Sequence, residues 1–101
     1  MIRDDHRNRA AAVRARDRRA RFDRLWQEQK GRCIYCDRRM SRPTPDGPLP
    51  DKAATLDHIY PRCKGGTDHI DNLALACNRC NVAKGCLMPE AWIERLRRRR
   101  A

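Results

Sequence analysis

Four cysteines in two matched pairs, Cys33 with Cys36 and Cys77 with Cys80, are the residues whose spacing speaks most directly of chemistry. Two residues separate the members of each pair, which lets both thiolates turn toward one ion. Two such pairs complete the tetrahedron that zinc prefers, at about 2.3 Å per Zn–S bond. A closed shell of four thiolates has no place for substrate, so the zinc expected here is structural and contributes to folding. The alternative, two disulfides, belongs to an oxidising compartment. Cys63 and Cys86 have no partner at ligand spacing and are expected to be free, partly buried thiols.

Between the pairs runs LDHIYPRCKGGTDHIDN, residues 56–72, with two Asp-His pairs, a Pro and a Gly-Gly. Asp57-His58 at a strand end, Asn72 before a second strand and Asn81 directly after Cys80 are polar residues that a zinc-holding module does not require. An imidazole titrates near neutral pH and can take a proton from water. Asp and Asn supply oxygen ligands for a hard divalent ion such as Mg2+ or Mn2+.

These groups need a scaffold, and the chain is short. With 101 residues and 5% aromatics the apolar core is small, so a cross-link must help hold it. Lys and Arg number 24 against 13 Asp and Glu, a formal net charge of +11 that is spread over the whole chain. Such an excess is the footprint of a nucleic-acid binder, although anionic membranes and acidic proteins attract basic chains too. The N-terminal MIRDDHRNRAAAVRARDRR lacks the apolar core of a signal peptide, and no segment approaches a membrane span. The expectation is a reducing cytoplasm, where paired cysteines more often hold zinc.

Residues 6–30 contain no Gly or Pro and predict one Arg-rich helix ended by Gly31, docking through Phe22, Leu25 and Trp26. SRPTPDGPLPDKA is a surface loop. Residues 54–60 and NLALA predict two strands of a β-hairpin, and NRCNVAKG a short helix stopped by Gly85. Residues 89–100 predict a final helix with a Pro start, with Ala91, Trp92, Ile93 and Leu96 as its docking surface. The expected architecture is α+β, a ββα core stabilised by zinc and flanked by two helices. Its divisions are an Arg-rich helix (1–31), the zinc-bearing domain (32–88) and a basic C-terminal helix (89–101).

The run DHIYPRCKGGTDHIDNLALACNRCNVAKG, with CIYC upstream, resembles the HNH endonuclease family of the ββα-metal fold, in particular its small four-cysteine members from phages and bacteria. DH-x-x-P, GG, NL, C-x-x-CN and K occur in the family's order over residues 33–85. The resemblance implies a DNA endonuclease leaving 5′-phosphate and 3′-hydroxyl ends. His58 would be the general base, Asp57 and Asn81 the ligands of the catalytic ion, and Asn72 the residue pinning the turn. It extends the implied partners from DNA to a packaging terminase; no membrane or small-molecule substrate is implied.

The third catalytic position is often His in this family, and Asn81 is a weaker ligand. In a regular strand Asp57 and His58 point to opposite faces, so the strand must end or twist there. Arg62, Lys64, Arg79 and Lys84 are candidate phosphate contacts, Lys84 equally a solvated charge. Asp68-His69 lies off the family's catalytic positions and is expected to be a turn former, either solvated or in weak contact with DNA; His6 matches nothing. Two rival readings use the same residues. One is a non-catalytic zinc module that binds nucleic acid, needing the cysteines and arginines but not His58 or Asn81. The other is a ribonuclease built on the same site.

Overall fold

The computed structural model describes residues 2–47 and 49–100, with side chains for 12–47 and 49–99. The side chain of His6 is outside this set. Helix α1 (Ile2–Gln29) leads to strand β1 (Ala54–His58), two 3-10 turns (Arg62–Lys64 and Ile70–Asn72), strand β2 (Leu73–Cys77), helix α2 (Asn78–Lys84) and helix α3 (Pro89–Arg100). The class is α+β, a two-stranded antiparallel hairpin with three helices and four cysteines gathered beside it. No helix among the described residues is long and apolar enough to cross a membrane.

Register in the hairpin pairs Ala54 with Cys77 and His58 with Leu73. β1 stops at His58, two residues before the expected end. The Ile59 N–H still donates to the Asn72 carbonyl at 2.9 Å, and Pro61 then opens the first 3-10 turn. All five residues of β2 are buried, so LALAC reads as a continuous apolar run, with α1 and α2 both packed against the strand.

Helix α1 docks through its last turns: Leu25 is buried and Phe22 and Trp26 pack around it, whereas Val13 is exposed. Gln29 then grips β2, its Nε2 donating to the Leu75 carbonyl at 2.9 Å and its Oε1 accepting from the Leu75 N–H at 2.9 Å. The helix closes in a Schellman pattern. Gly31 N–H donates to Trp26 O and Lys30 N–H to Gln27 O, with Lys30 itself left-handed at φ 55°.

The N-terminus of α2 is capped by backbone, because Cys77 at the cap position has its sulfur turned to the cysteine cluster. Asn78 N–H donates to Ala53 O and Arg79 N–H to Asp51 O, so the proline-rich loop is tied to the helix start. On α3, Trp92 is fully buried and meets the Tyr35 ring edge-on at 5.5 Å. Leu96 joins the core, while Ala91 and Ile93, expected to dock with it, are exposed.

Candidate metal centre and cleft

Cys33 and Cys36 come from the knuckle before the hairpin, Cys77 from the end of β2 and Cys80 from the first turn of α2. Their four sulfurs lie within 4.8 Å of one another, and those of Cys36 and Cys77 are 3.8 Å apart. A tetrahedron with Zn–S bonds of about 2.3 Å has S–S edges of about 3.8 Å, so the cluster can hold zinc with little adjustment. Burial works against a Cys33 thiolate, but amide N–H groups of Cys36, Cys77 and Tyr35 aimed at the sulfur outweigh it and lower its pKa. Burial and the neighbouring sulfurs push the Cys77 and Cys80 thiols upward. Four sulfurs so close call for a cation between them.

One residue beyond Cys80, Asn81 faces elsewhere, since adjacent helical residues project about 100° apart. With Asp57, His58, Pro61, Arg62, Cys63 and Cys86 it lines a cleft of about 210 Å³ on the hairpin side of α2. Asn81 Nδ2 donates to Thr55 Oγ1 at 2.8 Å, and Thr55 in turn donates to the Ala76 carbonyl. Oδ1 of Asn81 has no partner among the described residues and is available as a ligand.

Asp57 and His58 emerge from the same strand end into different surroundings. Asp57 is only 4% exposed; it accepts from the Tyr35 hydroxyl and pairs with Lys84 Nζ at 3.4 Å. Lys84 also donates to the His58 carbonyl at 2.8 Å. Two partners leave a carboxylate acceptor capacity for a metal ion. The Tyr35 hydroxyl is less acidic than usual because it is buried and donates to Asp57. The His58 side chain is more open, its Nε2 lying 2.7 Å from Asp68 Oδ1.

A loop folded back on itself carries Asp68. Asn72 pins it: Oδ1 accepts from Tyr60 N–H at 2.8 Å while Nδ2 donates to Tyr60 O at 3.1 Å and Thr67 O at 2.8 Å. Gly65 adopts φ 92°, and a Cβ on Gly66 would lie 1.7 Å from the Tyr60 carbonyl oxygen, so the fold-back needs both glycines.

A family model described as HNH endonuclease matches residues 33–86, just over half the chain. The chain belongs to the HNH endonuclease family. It is also 35% identical, over 60 residues, to a CRISPR-associated endonuclease Cas9 of Corynebacterium diphtheriae; the aligned region is 58% of this chain and 5% of that protein.

Within this HNH fold the structure brings Asp57, His58 and Asn81 into one cleft and puts Asn72 at the base of its loop. Of the four cations named as phosphate contacts, Arg62 lines the cleft and is exposed. Lys64 lies on the adjoining loop, and Arg79 sits across α2 beside Cys36, Cys77 and Cys80. Lys84 is neither solvated nor a surface contact: at 1% exposure it is committed to Asp57 and the His58 carbonyl. Its length lets it reach from the end of α2 under β1.

One further expectation needs correction. Cys63 and Cys86 are not free thiols but are bonded to each other, with Cα atoms 6.3 Å apart. Chain spacing hides this pairing, because the 3-10 turn and the end of α2 at Gly85 meet only in space, on the cleft wall. Asp68-His69 sits in an exposed turn, as the turn-former reading expects, and each residue also has a specific partner. Asp68 contacts His58, and His69 Nδ1 accepts from Asp71 N–H to cap the second 3-10 turn. Sequence reasoning also missed Tyr35, which leans on Trp92 and holds Asp57; an aromatic inside a Cys-x-x-Cys knuckle was its one available signal.

Proposed function

We propose that this chain is a divalent-metal-dependent DNA endonuclease that hydrolyses phosphodiester bonds in the cleft between the hairpin and α2. The observation that carries this reading is the convergence of Asp57, His58 and Asn81 on one open cleft beside the exposed Arg62. Asp57 and Asn81 offer hard oxygen donors, a set that suits Mg2+ or Mn2+ and not the thiolate-loving zinc. A bound divalent ion supplies charge to offset the phosphate and the leaving 3′ oxygen. His58 takes a proton from water as the water oxygen forms its bond to phosphorus. The bond from phosphorus to the 3′ oxygen breaks, and that oxygen takes a proton from solvent, leaving 5′-phosphate and 3′-hydroxyl ends.

Lys84 anchors Asp57 through their buried ion pair, and Arg62 meets the phosphate backbone. Binding led by phosphates gives weak sequence preference and steep salt dependence. The four-cysteine cluster holds zinc and sets the register of α2, so that Cys80 faces the metal while Asn81 faces the cleft. Supercoiled plasmid, duplex RNA and single strands, each incubated with zinc-loaded protein and Mg2+, Mn2+ or EDTA, test the reading. Nicking of plasmid only with a divalent ion is expected. Cleavage confined to RNA makes the chain a ribonuclease, and binding without cleavage of any substrate makes it a non-catalytic zinc module.

A further inference from the structure

His58 has a carboxylate partner from outside the residues already given a role. Asp68, ten positions along the chain, places Oδ1 2.7 Å from His58 Nε2. It is held there from three directions. The Asn72 amide fixes the carbonyl of the preceding Thr67, Arg62 Nε lies 4.0 Å from the same Oδ1, and Arg21 of α1 donates to the Asp68 carbonyl at 3.1 Å. The contact with His58 and the charge of Arg62 lower the Asp68 pKa, so the group is ionised near neutrality. An ionised carboxylate only accepts hydrogen bonds, and Nε2 must therefore carry a hydrogen. In a neutral ring the lone pair is then on Nδ1, which has no hydrogen-bond partner among the described residues.

We infer that Asp68 is a positioning residue for His58: it fixes the ring orientation and the Nε2–H tautomer, which makes Nδ1 the nitrogen that accepts the proton from water. The inference rests on the proposed role of His58 as general base. As the water O–H bond breaks and the Nδ1–H bond forms, the ring becomes cationic opposite the Asp68 carboxylate, and the pair stays neutral overall. No proton moves to Asp68. The same geometry gives the Arg-rich α1 a part in the site, since Arg21 braces the loop that carries the carboxylate. It also explains why the loop must fold back so tightly. A wider turn at Gly65 and Gly66 would carry Asp68 away from the ring.

The test combines turnover with a spectroscopic signature on zinc-loaded full chain. Asp68→Ala is expected to lower kcat on plasmid by on the order of 10²-fold, the scale of misplacing a reacting group, with KM little changed. Asp68→Glu should recover part of that loss. Imidazole nitrogen-15 shifts at one fixed, neutral pH should show His58 as the Nε2–H tautomer in the wild type and a mixture in Asp68→Ala. Wild-type kcat in Asp68→Ala overturns the inference, and so does a loss of turnover with the tautomer unchanged. His58→Ala run alongside separates the two levels: if it cuts like the wild type, the general-base reading fails, whereas if it is inactive while Asp68→Ala is fully active, only the positioning role fails.

Discussion

The cysteine cluster and the cleft lie on opposite sides of α2, one residue apart at Cys80 and Asn81, yet they are built on opposite principles. The cluster is closed: three of its four cysteines are buried, its donors are all sulfur, and backbone N–H groups complete its surroundings. The cleft is open, its donors are oxygen and nitrogen, and each donor is held by a partner from a different part of the chain. Closed sites hold a fold; open ones leave room for a substrate. The difference teaches that a closed sulfur cluster can orient a residue of an open cleft without lining it, because a helix turns adjacent side chains to different faces.

That contrast breaks first if the cluster is not structural. Cys36→Ser, or a strong chelator, should unfold residues 33–86 by circular dichroism, since zinc binding in small domains amounts to about 10–16 kcal/mol of folding free energy. Retention of native ellipticity without zinc would leave the cluster with no structural task. Lys84→Met comes next. It leaves Asp57 buried without its cation and should cost about 3–5 kcal/mol in urea unfolding, whereas Lys84→Met combined with Asp57→Asn should recover part of that. Equal losses for the single and double variants would mean that the two groups are not coupled.

Cys63→Ser sharpens the comparison by asking whether the cleft wall has its own staple. The Cys63–Cys86 bond closes a loop with a sequence separation of 23, for which about 3 kcal/mol is expected. A smaller loss in thermal melts, with unchanged zinc content, would show that zinc alone holds that wall. The smallest effect is the pH dependence of the His58–Asp68 contact. Asp68 has a lowered pKa in the folded chain, so its contribution to stability is present above the ordinary carboxylate value of 3.8 and is lost as pH falls through the folded value. The difference in Tm between wild type and Asp68→Ala should shrink on acidification through that window; a difference that grows instead would have the wrong sign.

The two regions were also unequally legible in the sequence. Cys-x-x-Cys is a local device, so Cys33, Cys36, Cys77 and Cys80 could be grouped from spacing, and the hairpin and α2 followed from alternation and glycine stops with ends shifted by a residue or two. The cleft depends on long-range placement. Tyr35, Lys84 and Asp68 reach Asp57 and His58 across 22, 27 and 10 positions of sequence, distances over which no periodicity links them. Lys84 looked like a surface charge because lysines are rarely buried unless paired, and its partner is invisible in one dimension. The Cys63–Cys86 bond was missed for the same reason.

The central claim, a structural metal on one face and proton transfer by His58 on the other, is tested most directly by measuring zinc content and plasmid nicking together on wild type and His58→Ala. The account predicts that both proteins bind one zinc, melt alike and retain DNA binding, while only the wild type nicks with Mg2+ or Mn2+. A His58→Ala protein that nicks at the wild-type rate with its zinc in place would contradict it.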